Sequence, residues 1–228
     1  LGVLEAALIA EEFGRYAVPT PWIGNSVMAP TALLYEKGNF LSEKWLPLIA
    51  SGEITACVSL TEVIGKRSNA GLKLDDSKVS GTTIFGLDGE LNPRIIITVL
   101  DDNLILIDTE NPGVTISEIP TIDSTRPVVE VVCEGVDFEI IPGGKDAIKK
   151  TIGVGRVLLA ADILGASLNM ISNAVEYSLE RKQFNRVIGS FQAVKHMCAE
   201  MAADIEPCKS LLWYAAYAQD HIKEEADL

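Results

Sequence analysis

No two cysteines in this sequence form a CxxC pair, and none joins a histidine cluster: Cys57, Cys133, Cys198 and Cys208 stand apart. That excludes the usual structural zinc spacings and a disulfide framework, and leads us to expect a reducing, cytoplasmic setting. Positive charge is scarce, with 19 Lys and Arg against 32 Asp and Glu and a formal net charge of −13. Nucleic-acid affinity rests on clustered Lys and Arg, so no nucleic-acid partner is expected, although a local basic pocket is compatible with this balance. Long apolar runs are missing too. The stretch Ile95–Leu100 is too short to span a bilayer, and no charged-then-apolar leader opens the sequence. Neither an internal repeat nor a low-complexity segment is present. The start at Leu1 instead of Met, and the helix-like run at 224–228, suggest a piece of a longer protein.

What is there reads as three kinds of structure in succession. With 48% hydrophobic and 22% charged residues, the chain is globular and large enough for two or three packed units. Residues 1–53 carry a helical unit. Leu4, Ala7 and Leu8 share one face with Glu5, Glu11 and Glu12 mostly opposite, and Gly14 serves as a stop. Further helices surround 29–35 and follow Ser42, the latter with Leu41, Trp45, Leu48 and Ile49 before Gly52. Residues 54–142 predict an antiparallel β-domain with strands at 55–60, 78–85, 94–100, 104–108, 114–119, 128–133 and 138–141. Asp88-Gly89 and Asn111-Pro112-Gly113 supply turn residues there. Residues 143–228 predict the first two long helices of a four-helix bundle. Their seams run through Val154, Val157, Ala161, Leu164, Leu168, Ile171 and Val175, and through Phe191, Val194, Cys198, Met201, Ile205, Cys208, Leu212 and Ala215. A hinge falls at 185–190, Ser190 is placed to cap the second helix, and Pro207 is expected to bend that helix without ending it. The seam of two helices needs covering by something more, either further helices or a partner.

Four strings in this order resemble the acyl-CoA dehydrogenase family over nearly the whole length. They are Trp45-Leu46-Pro47-Leu48-Ile49-Ala50-Ser51-Gly52-Glu53; Val58-Ser59-Leu60-Thr61-Glu62; Asp123-Ser124-Thr125-Arg126-Pro127 with Cys133-Glu134-Gly135-Val136; and Arg181-Lys182-Gln183-Phe184-Asn185-Arg186-Val187-Ile188-Gly189-Ser190-Phe191-Gln192-Ala193. The last is similar to the family's Arg-x-x-Phe-Gly-x-x-Ile-x-x-Phe-Gln-Ala signature. The resemblance implies an α+β multidomain fold: an N-terminal helical domain, a central antiparallel β-domain and a partial C-terminal bundle. It also implies an FAD cofactor. Arg181, Phe184 and Gln192 would hold FAD at a helical corner shared between subunits of a dimer or tetramer. Leu60, Thr61 and Phe85 would meet the isoalloxazine ring. An Arg can fork onto pyrophosphate oxygens, and the free amides of a helix start favour anions.

The implied reaction is α,β-dehydrogenation of an acyl-CoA thioester, with a carboxylate taking the α-proton while the β-hydrogen passes to the flavin as hydride. An electron-accepting flavoprotein would follow as a partner. No catalytic residue is assigned. The family's usual Glu lies beyond the matched region, and the alternative position near the start of the first long bundle helix holds Gly155. Val63-Ile64-Gly65 replaces the family's Gly-Ser-Asp turn, and Asn185 replaces a Gly but tolerates a left-handed backbone. No metal site is expected. Cys198 and Cys208 read as core, His196 as a helix residue, and Lys145, Lys149 and Lys150 as a solvated helix start. The alternative reading is a non-catalytic flavin-binding or assembly subunit with the same fold.

Overall fold

A computed structural model describes residues 2–60, 70–222 and 224–226. Secondary structure changes type near the expected positions, whereas compactness groups the chain as residues 19–155 on the one hand and 2–18 with 156–222 and 224–226 on the other.

The first of these units opens with a π-helical turn, Trp22–Met28, continued by helix α2, Ala29–Leu33, and helix α3, Phe40–Ser51. Asn39, not Ser42, caps α3: its side chain accepts the Ser42 amide, and Gly52 closes the helix in the left-handed region at φ 73°. The strands are β1 Ala56–Ser59, β2 Gly71–Asp75, β3 Lys78–Leu87, β4 Ile95–Leu100, β5 Asn103–Asp108, β6 Val114–Ile119, β7 Val128–Val136 and β8 Glu139–Ile141. They form one sheet in the order β6-β7-β3-β1-β4-β5-β8, with β2 beside β3. Every pairing is antiparallel, as expected, except β1 with β4, which run parallel from Ala56↔Ile95 to Ser59↔Thr98. Parallel neighbours need a crossover connection, and the chain supplies one by forming β2 and β3 between them.

Strand β2 has no counterpart among the expected strands. It is joined to β3 by the two-residue turn Asp76-Ser77, both left-handed at φ 44° and 70°, without the Asn-Gly or Asp-Gly pair that marks such hairpins. β4 lies between β1 and β5 and is buried at all six positions, which explains its unbroken apolar run. Cys57, Val79, Ile96, Ile105, Ile107, Val129, Val131 and Cys133 pack as one core cluster.

In the other unit, helix α1, Val3–Arg15, buries Val3, Ala6, Ala7, Ala10, Glu11 and Gly14, not the expected Leu4–Leu8 face. A close helix crossing decides this. A Cβ on Gly14 would lie 1.9 Å from the Asp162 carbonyl oxygen, and one on Gly165 would lie 1.8 Å from that of Glu11. Only small residues fit such an approach, so Leu8 is turned out to solvent, and Gly14 is a packing residue inside the helix, not a stop. Asp162 and Gly165 belong to helix α4, Gly144–Glu180. The hairpin of β9, Lys182–Gln183, and β10, Arg186–Val187, leads through a 3-10 turn at Ile188–Ser190 to helix α5, Gln192–His221, which runs unbroken through Pro207. By length and composition α4 is long and apolar enough to cross a membrane. However, 56% of its most apolar window is buried within the chain, as in a core helix.

Candidate functional site

Of the residues expected to meet a flavin ring, Leu60 is buried directly after β1, while Thr61 and Glu62 lie outside the described residues. Phe85 occupies an unusual place in β3. Between the pairs Thr83↔Val131 and Gly86↔Val129, β3 carries Ile84 and Phe85 against the single residue Glu130 of β7. This is a β-bulge, a device that re-aims a side chain. Phe85 stands at φ 59° within it, and its ring is partly exposed. A left-handed backbone at a non-glycine residue costs roughly 1–2 kcal/mol, so the surroundings must hold it.

Three buried hydroxyls adjoin the bulge. Ser59 Oγ donates to the Ile84 carbonyl at 2.9 Å and lies 2.6 Å from Thr83 Oγ1, which in turn receives Thr98 Oγ1 at 3.4 Å. All three residues are fully buried. Isolated Ser and Thr residues in strands carry no distinctive signal, so sequence reasoning missed this group.

The second set of expected residues gathers at the hairpin between α4 and α5. The Arg181 amide continues the helical pattern to the Tyr177 carbonyl, and its own carbonyl accepts the Ile188 amide at 2.8 Å, closing the hairpin. Phe184 and Asn185 form the two-residue turn, left-handed at φ 52° and 62°, so Asn185 does replace a glycine without loss of the turn. Phe184 is exposed at its tip and meets Phe191 edge-on, with ring centroids 6.1 Å apart, and the Arg186 guanidinium lies 3.9 Å above the Phe191 ring. Gln192 is the first residue of α5. Ser190 does not cap this helix: its hydroxyl turns back to the Val187 carbonyl, and Phe191 occupies the cap position without a side-chain bond. The structure thus brings Arg181, Phe184 and Gln192 together at one corner, and places Leu60 directly after β1 and Phe85 within β3.

Electrostatically this corner is the reverse of the chain as a whole. No Asp or Glu occurs from position 181 to 199, while Arg181, Lys182, Arg186 and Lys195 fall there and are all exposed. Among the described residues no carboxylate pairs with Arg181. Basic side chains around the unpaired amides of a helix start, beside an exposed aromatic ring, form a donor set that fits the phosphates of a dinucleotide such as FAD. The acid-free interval was the available signal for Lys182, Arg186 and Lys195.

The same donor set contains no general base. Gly155 is buried, and a Cβ there would come 2.7 Å from Met28 Sδ and 2.8 Å from its methyl carbon, so Met28 fills the space that a longer side chain would need. One strongly perturbed carboxylate is Asp88, directly after β3. Burial, reinforced by Glu90, pushes it up to about 6 against the amide hydrogen bonds it accepts from Asn25, at 2.7 Å, and Gly24. Asp88 therefore clamps the π-helical turn to the sheet. Burial likewise pushes the Cys57 thiol far up, so that it packs as a neutral core residue. Cys198 is half-buried on the α5 seam, but Cys208 is exposed and its thiol turns to the Asp204 carbonyl, a correction to its expected place in the core. His196 is exposed, and Lys145 pairs with Asp102 at 3.0 Å. No metal-holding group of His, Cys, Asp or Glu occurs among the described residues.

Comparison with known proteins gives the family and the fold. Residues 143–227 match the family described as acyl-CoA dehydrogenase, C-terminal domain. The chain is 30% identical to the 3-(aryl)acrylate reductase of Clostridium sporogenes over 81% of its own length and 55% of the relative's. It is 28% identical to subunit CarC of the caffeyl-CoA reductase-Etf complex of Acetobacterium woodii, over 93% of this chain and 62% of that one. In fold it matches a structure of the ChsE4-ChsE5 complex from Mycobacterium tuberculosis with a TM-score of 0.84 at 23% identity, covering 99% of this chain and 63% of that one. The chain thus spans between about half and two thirds of the length of the relatives it matches. Members of the family are FAD flavoprotein oxidoreductases of acyl-CoA metabolism and form oligomers. By its sequence strings, its fold and its matched C-terminal region, the chain belongs to the acyl-CoA dehydrogenase family.

Proposed function

We propose that the chain binds FAD and serves in the α,β-dehydrogenation of an acyl-CoA thioester, as part of a homo- or hetero-oligomeric acyl-CoA dehydrogenase. The observation that carries this reading is the acid-free basic corner at residues 181–199 in a chain of net charge −13. Bound FAD would supply the hydride acceptor for the substrate's β-hydrogen. The chain's own part begins with Arg181, whose guanidinium can fork onto pyrophosphate oxygens, assisted by the first amides of α5 and by Gln192. Phe184 offers an exposed ring beside them. Phe85 on β3 and Leu60 directly after β1 would meet the isoalloxazine ring, with Thr61, outside the described residues, as the third member of that side.

The α-proton needs a desolvated carboxylate. Position 155 holds glycine, so we take that group from outside the described residues or from a partner chain. The Gly155–Met28 contact also favours a second reading, a flavin-binding or assembly subunit that leaves the proton transfer to its partner. Relatives named as subunits or complexes, with Etf or with a second chain, support a heteromeric setting. An electron-transferring flavoprotein as acceptor and a cytoplasmic location complete the proposal.

The test is an absorbance spectrum of the purified protein with FAD, before and after anaerobic addition of acyl-CoAs. Flavin bands that bleach support the dehydrogenase, and bands that persist favour the non-catalytic subunit. A protein that takes up no FAD overturns both. Arg181→Ala should weaken FAD retention at least ten-fold, the loss of a charge-assisted pair. Unchanged flavin content would remove the corner from the site.

A further inference from the structure

We infer that Ser59, backed by Thr83 and Thr98, is a positioning residue that sets the conformation of Phe85. This deepens the proposal above and rests on its reading of Phe85 as the residue beside the flavin ring.

The direction of the hydrogen bonds carries the argument. A carbonyl can only accept, so the single Ser59 hydroxyl proton is committed to Ile84 at 2.9 Å. The 2.6 Å contact between Ser59 and Thr83 must then be donated by Thr83. The Thr83 oxygen is left to accept from Thr98 across the longer distance of 3.4 Å. The result is a one-way chain, Thr98 to Thr83 to Ser59 to the Ile84 carbonyl, joining β4, β3 and β1, of which β1 lies between the other two. Successive donors in such a chain polarise one another, and low-dielectric burial makes each link costly to leave unmade.

Its endpoint is the peptide directly before Phe85. The Ile84 carbonyl belongs to the peptide unit that includes the Phe85 nitrogen, so fixing that plane restricts the φ rotation that places Phe85 at 59°. The bulge has interrupted the β3–β7 register at this point, and the hydroxyl chain ties the extra residue from the β1 side. Ser59 also immediately precedes Leu60, so one hydroxyl links two of the segments proposed to meet the ring.

The experiment uses the full chain with fluorophenylalanine incorporated, the Phe85 signal being assigned by its absence in Phe85→Leu. Ser59→Ala, Thr83→Val and Thr98→Val are compared with Thr151→Val, which removes a buried hydroxyl bonded to the Ala147 carbonyl within α4. Without added FAD, the Phe85 fluorine resonance should shift or broaden most in Ser59→Ala, less in Thr83→Val and least in Thr98→Val, and stay in place in Thr151→Val. Where the wild-type chain binds FAD, the visible flavin envelope should change in the same order, with affinity about ten-fold weaker in Ser59→Ala. An unmoved Phe85 resonance in both Ser59→Ala and the near-isosteric Thr83→Val would overturn the inference. Should Ser59→Ala fail to fold, the two valine variants decide it alone. A wild-type chain that takes up no FAD overturns the functional reading, while the resonance still decides whether the hydroxyl chain positions Phe85.

Discussion

Strand β4 and the first five turns of helix α5 are opposite solutions to the same problem. All six residues of β4 are buried, Ile95, Ile96 and Ile97 completely. Along α5, from Gln192 to Leu211, no residue is buried. Val194, Cys198, Met201 and Ile205 reach only half-burial, while Met197 and Leu211 stand more than three-fifths exposed. Central strands are covered on both faces by their own chain, whereas a helix in a pair has one covered stripe. Burial is thus concentrated in the sheet, while the basic side chains of the hairpin corner are exposed.

The largest effect is expected in the sheet. Ile96→Ala removes a fully buried side chain from the core cluster and should cost about 4 kcal/mol in urea unfolding. A loss below about 1 kcal/mol would mean that the sheet is not where folding energy is held.

A smaller effect follows from Asp88. Its carboxyl sits at about 6, above the ordinary 3.8. The folded state therefore binds the proton more tightly than the unfolded state, so this group's contribution is fully present below about pH 4 and is lost as pH rises through 6. The most it can amount to is about 3 kcal/mol. Asp88→Asn should flatten the pH dependence of unfolding between pH 4 and 7, and should equal or exceed the wild type in stability above pH 7. An unchanged profile would remove the clamp on the π-helical turn from the account. Asp108 has the opposite sign: the Arg94 hydrogen bond holds it below the usual carboxylate range, so its contribution is lost only as pH falls.

The smallest effect belongs to α5. Met197→Ala should change the unfolding free energy of the isolated chain by no more than about 0.5 kcal/mol, because the side chain already faces solvent. A cost of several times that would show that the exposed side of α5 is covered in solution.

Most of the strand pattern was legible in the residues. The expected strand at 114–119 coincides with β6, and those at 94–100 and 104–108 lie within a residue of β4 and β5, because alternation and unbroken apolar runs report burial directly. Strand β2 was not legible, since its turn uses Asp76-Ser77 in place of a glycine. The Leu4–Leu8 face failed because the approach of α1 to α4 selects small residues over large ones. The corner at Arg181, Phe184 and Gln192 was legible because its residues are close in sequence and carry their chemistry in their types. The hydroxyl chain was not, since Ser59, Thr83 and Thr98 are far apart in sequence and ordinary for strands.

Local patterns of polarity, charge and backbone preference set the succession of helices, sheet and helices, the hairpin turn at Asn185 and the concentration of positive charge after Glu180. Long-range packing sets which strands lie side by side, that Glu11 is buried while Leu8 is exposed, that Met28 lies against Gly155, and that Ser59 reaches the peptide before Phe85. Those outcomes depend on distances between residues remote in the chain, which no local preference encodes.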